Sequence, residues 1–232
     1  MPLFRRRPRT RAEIVAAADR ARARGRIRKA VAGYREALRN DPEDPSLNVK
    51  LAPLLARLGQ GAEGARCFRR AAERHLAAGF TDRAAAVCAT ATGVFPLEPA
   101  FRVELARLHA LRGRRADAVG ALVDGGRALA RARRRPAAVS LLRRALELEP
   151  LHLEARLALA PALAAEGERE EARSLLRGLE GHARGRDLRR VRWAALRLAP
   201  TPAALWRWLS AAFAGDAPGR QPGGGRGRDR AR

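Results

Sequence analysis

The chain has 232 residues, of which 47% are apolar and only 4% aromatic, and its 48 Arg and Lys against 24 Asp and Glu give a net charge of +24. That length buries a core as one large domain or two small ones. Ala, Leu and Arg dominate and β-branched residues are scarce, which excludes a β-rich fold and predicts an all-α one.

Residues 1–10, MPLFRRRPRT, are basic, hold two prolines and read as a flexible arm. Helical periodicity begins at Arg11. Gly, Pro and short polar breaks then predict about twelve helices, over 11–24, 27–39, 46–58, 62–78, 82–94, 100–112, 116–132, 136–148, 153–166, 168–181, 187–198 and 202–213. The loops are short, so neighbouring helices must pack antiparallel. Residues 214–232 are rich in Gly, Pro and Arg and hold no large apolar residue, so a disordered tail is expected. The domain reading is therefore an arm (1–10), a helical body (11–213) closed by a helix at 202–213, and a tail (214–232).

One spacing recurs along the body. A small residue is followed four later by a larger apolar one, three later by a second small one, and five later by Pro. Ala30, Tyr34, Ala37 and Pro42 fit it, as do Ala84, Cys88, Ala91 and Pro96, and Ala138, Leu142, Ala145 and Pro150. A 54-residue period overlies it and aligns 45–98 with 99–152: Gly59 matches Gly113, Phe68 matches Leu122 and Pro96 matches Pro150. A degenerate third copy keeps Gly167 and Ala172. Small residues at this spacing let helices approach closely, and the larger residue one turn on fills the groove between them. Gly25, Gly59, Gly113 and Gly167 stand where helix ends want a positive φ. A fixed internal period predicts a solenoid, whose extended surfaces bind more often than they catalyse.

Carried by Gly25, Ala30, Tyr34, Ala37 and Pro42 in register, and by the copies at 118–150 and 167–179, the chain resembles the tetratricopeptide repeat family, in a degenerate form of bacterial kind, over residues 11–200. The resemblance implies a superhelix of antiparallel helix pairs, an α-solenoid, that binds peptides in a groove lined by the first helix of each repeat. One version of that groove clamps a peptide carboxylate with Lys and Asn. This chain instead has Val15 and Asp19, Val49 and Pro53, Val103 and Arg107, and Leu157 and Pro161 at the corresponding positions. Val15, Val49, Val103 and Leu157 thus form an apolar ladder, and with Asp19 and Arg107 they are the candidate peptide groove.

No catalytic pattern is found. His75, His109, His152 and His182 are scattered with no metal-ligand spacing, and GGGRGR in the tail lacks the strand and helix of a phosphate loop. No enzyme activity, cofactor or metal is expected. Cys67 and Cys88 sit at apolar helical positions and read as small buried hydrophobes. Neither a secretory signal nor 18 consecutive apolar residues is present, so a cytoplasmic location without a transmembrane segment is expected.

Only Lys29 and Lys50 are lysine, the fingerprint of a GC-rich genome, but base composition does not explain a twofold excess of bases. Arg127, Arg131, Arg133, Arg134 and Arg135 lie in a stretch without acids, and Arg189 and Arg190 in a second basic stretch. These are candidates for an acidic protein surface, an anionic membrane surface or nucleic acid. The last helix is apolar on several sides. Trp206 and Trp208 lie about 200° apart on a helical wheel, so one neighbour cannot bury both, and with Phe213 they are a candidate docking surface for a partner, a second copy or a membrane interface. The expected function is a non-catalytic scaffold or adaptor. A nucleic-acid-associated protein is the alternative, weakened by the scarcity of aromatics for stacking bases.

Overall fold

The computed structural model describes residues 9–213. Twelve α-helices and no strand occur among the described residues: α1 Arg11–Ala23, α2 Ile27–Ala37, α3 Pro45–Arg57, α4 Gly61–Ala77, α5 Thr81–Val94, α6 Pro99–Leu111, α7 Arg115–Arg131, α8 Arg135–Leu148, α9 Leu153–Ala165, α10 Arg169–Glu180, α11 Gly185–Leu198 and α12 Pro202–Phe213. Every bound lies within two residues of its expected place. The first eight residues of the arm and the whole tail 214–232 lie outside the described residues.

Local chemistry sets the ends. Thr10 and Glu13 form a reciprocal capping box at α1, and the Asp44 carboxylate accepts the Leu47 N–H at the start of α3. Six helices then end by one device. The N–H of Arg26, Gln60, Phe80, Arg114, Arg134 and Glu168 each donates to a carbonyl five residues back, at 2.8–2.9 Å. The bond needs a left-handed residue just before it. That residue is Gly25, Gly59, Gly113 and Gly167 as expected, and also Gly79. At the sixth turn it is Arg133, with φ of 59°. Gly79 and Arg133 are 54 residues apart, so they hold one position in two copies. A side chain there costs about 1–2 kcal/mol. In the first five cases, all within the first unit described below, the donating residue also opens the next helix, so the turn is too short for anything but an antiparallel pair.

The described residues divide into two compact units, one up to Ala162 and the other from Leu163. In the first, each helix from α1 to α8 packs on its neighbours in sequence, and α3 also reaches α5 and α6 reaches α8. Helix pairs are therefore stacked on one another, as an α-solenoid requires. In the second unit α11 packs between α10 and α12.

The recurring spacing is the core of the first unit. Ala30, Tyr34, Ala84, Ala91, Ala138, Leu142 and Ala145 are all fully buried. Phe68 is 0% exposed and meets Phe95 and Phe101 edge-on, with ring centres 6.1 and 6.2 Å away. The copies differ in how they fill the helix contact. Ala71, Ala72, Val87 and Cys88 correspond to Gly125, Gly126, Leu141 and Leu142. Small helix residues thus accompany the bulkier partners. A Cβ on Gly126 would stand 2.5 Å from Leu142 Cγ, and one on Gly125 2.8 Å from Leu141 Cδ1.

Candidate binding surfaces

The ladder residues Val15, Val49, Val103 and Leu157 lie on α1, α3, α6 and α9, all within the first unit, and each is half-buried. Asp19, one turn after Val15, is the centre of a polar knot. It accepts from the Tyr34 hydroxyl at 2.6 Å and from Lys50 Nζ at 3.2 and 3.1 Å, with Arg22 3.8 Å away. The Tyr34 hydrogen bond, with Lys50 behind it, holds the Asp19 carboxyl below its ordinary range. Arg107 is exposed and pairs through two nitrogens with Glu104 one turn back, at 2.9 and 2.6 Å. Sequence reasoning picked out Asp19 but not its partner Lys50, 31 residues away, and the rarity of Lys was the one available signal.

Burial pushes the Tyr34 hydroxyl up from 10 to about 12, and the Asp19 carboxylate adds to it. Burial likewise pushes the Cys88 thiol up from 9 to about 12, and the Cys67 thiol upward. Both thiols are free and buried. Tyr34 and Cys88 stay neutral when folded at a pH where the unfolded chain ionises them. Their contribution is therefore complete below pH 9 and is lost as the pH rises towards 12. The unfolding free energy from urea titrations between pH 8 and 11 should fall, with a limiting slope of about 1.4 kcal/mol per pH unit for each group. A flat profile would mean that neither group is shielded.

The basic candidates separate on the structure. Arg131, Arg133, Arg134 and Arg135 are all exposed and crowd the α7–α8 turn, where Arg134 Nη1 also donates to the Leu97 carbonyl at 3.3 Å. Arg127 is turned away from them into an ion pair with Glu154 of α9. Arg189 and Arg190 lie on α11, where Arg190 faces Asp187 at 3.6 Å. Other cations brace the stack: Arg35 of α2 pairs with Glu63 of α4 at 2.6 Å, and Arg11 of α1 with Asp44 before α3 at 2.5 Å.

On α12 the two tryptophans part as the wheel requires. Trp208 packs on Trp193 of α11, ring centres 5.2 Å apart, while Trp206 is 73% exposed and Leu205 beside it 45%. The Phe213 side chain lies outside the described residues. Among the described residues no cluster of His, Cys, Asp and Glu could hold a metal ion, and no helix is long and apolar enough to cross a membrane.

Stacked antiparallel pairs of about thirteen residues per helix, joined by left-handed turns and sealed by buried Ala, define a helical repeat protein. The chain belongs to the tetratricopeptide repeat family: models of that repeat match residues 15–74, 69–125 and 129–197. No curated protein matches the sequence. Among solved structures the chain is similar to a thermophilic tetratricopeptide repeat protein of Thermus thermophilus, at 21% identity over 88% of this chain and 100% of that one, TM-score 0.24. It is similar to the type IV pilus biogenesis factor PilW at 15% identity over 90% and 94%, TM-score 0.36. A tetratricopeptide repeat protein of Parabacteroides merdae is similar at 12% identity over 89% and 92%, TM-score 0.32.

Proposed function

We propose that the chain is a non-catalytic scaffold or adaptor, located in the cytoplasm, that binds a protein partner along the face carrying Val15, Val49, Val103 and Leu157. Repeats of this family serve as protein-interaction scaffolds. The observation that carries the reading is the half-buried state shared by those four residues at one register of four helices. A side chain fully used in core packing would be buried, and a merely solvated position has no reason to stay apolar four times. The ladder takes apolar anchors of an extended or helical peptide, and the arginine excess takes its acidic flanks.

The test compares affinity capture from native extract, with nuclease present, by the parent chain and by a Val49→Asp, Val103→Asp variant. The variant is expected to stay helical and to lose its stoichiometric partner. A Val49→Thr, Val103→Thr variant, which keeps the shape, should lose far less. A folded Asp variant that captures the same protein would end the groove reading. Captured material that disappears with nuclease would move the arginine faces and nucleic acid to first place.

A further inference from the structure

A cleft of about 450 Å³ runs along the outer stripe of α1 and the start of α2. Glu13, Ala17, Arg20 and Ala21 on α1, and Arg24 at its C-terminal cap, follow the three- and four-residue spacing of one helix face. Arg9 borders the stripe at its beginning, and Arg26 and Lys29 at the turn into α2. Five cations therefore line one concavity. All five are exposed, and among the described residues none of the five side chains has an ion-pair or hydrogen-bond partner. The single carboxylate in the wall, Glu13, accepts the Thr10 N–H at 2.8 Å in the cap of α1, and its charge offsets only one of the five cations.

The cleft is set apart by the gathering of its cations in one concavity, since elsewhere only part of the surface arginines are paired. Arg11, Arg22, Arg35, Arg107 and Arg112 each have a carboxylate in reach. Five like charges gathered in a cleft repel one another and raise its potential, and a bound anion relieves both. The apolar wall is Ala17 and Ala21 alone, with no ring to stack on a base and no deep pocket for a peptide side chain. Guanidinium groups fork onto phosphate oxygens through paired hydrogen bonds. We propose that the α1–α2 cleft is a binding site for a compact oligophosphate group, held by Arg9, Arg20, Arg24, Arg26 and Lys29. It is separate from the apolar ladder and does not depend on the scaffold reading.

The full chain titrated calorimetrically with sodium tripolyphosphate at 150 mM salt tests the site. One saturable site is expected, with sulfate at least about tenfold weaker because it offers fewer oxygens and less charge. Arg20→Gln with Arg24→Gln should weaken tripolyphosphate by about tenfold or more. Arg57→Gln with Arg115→Gln removes the same charge outside the cleft and outside the candidate basic stretches, and should change affinity by less than about twofold. All four positions are exposed, so circular dichroism should be unchanged. A nucleoside triphosphate binding as tightly as tripolyphosphate places recognition in the phosphate chain, whether free or carried by a larger molecule. No binding at 150 mM salt overturns the site. So does an equal loss in both double variants, or a nucleoside triphosphate at least about tenfold tighter than tripolyphosphate.

Discussion

Phe68→Ala is expected to lower the stability of the first unit by about 3–5 kcal/mol, the usual cost of emptying a buried aromatic site. Phe68 is fully buried and forms the edge contacts of a trio whose other rings, Phe95 and Phe101, stack on each other 6.3 Å apart. The trio joins α4, the end of α5 and α6, so one truncation loosens two helix contacts. The chain has only six Phe, and Leu122 fills the matching place one period later, so the trio is particular to this copy. Phe80→Ala is the contrast. That ring is 49% exposed with the Arg83 guanidinium 4.7 Å above it, and its loss should cost no more than about 1 kcal/mol. The measurement is urea unfolding followed by far-ultraviolet circular dichroism. All three Trp belong to the second unit and would report on the wrong place. A cost for Phe68→Ala near that of Phe80→Ala would mean the trio is not packed as described.

Gly126→Ala should destabilise the chain by about 1–3 kcal/mol, although Ala is the better helix former by about 1 kcal/mol. Packing decides the sign. The added methyl would sit 2.5 Å from Leu142 Cγ, a branch point that cannot swing aside as a chain tip can. The neighbouring copy has already solved the same contact differently, with Ala72 and Cys88 at these positions. Gly126→Ala combined with Leu142→Cys transplants that solution and should recover at least about 1 kcal/mol relative to the sum of the single changes. Additive effects in the double-mutant cycle would show that the two positions do not compete for one space.

The helix bounds and the repeat register were legible because Gly and Pro punctuate the chain and Ala recurs where helices touch. The fold class and the family follow from those letters. Other features are tertiary and leave no local mark. Arg133 takes a left-handed turn that its own propensity opposes, because the helices on either side hold it there. Tyr34, Asp19 and Lys50 meet only once α1, α2 and α3 are stacked. The wheel placed Trp206 and Trp208 on opposite sides but could not say that Trp193 would cover Trp208. The ladder was legible as a register, and its half-buried state was not, since alternation along a helix does not give depth. Arg20 and Arg24 were visible only as charge until α1 and α2 closed a cleft around them.

Gly79 and Arg133 close the same turn in successive copies, at φ of 76° and 59°. The shape is the same in both copies, although only one of them has the residue that suits it best. What the array hands from copy to copy is a count of residues between turns, more than the residues themselves. One inserted or deleted residue in α4 or α7 would rotate every later side chain on that helix by about 100°, turning Ala out of the contact and Arg into it. The copies differ in many of their residues, whereas the count between their turns is 54 in each.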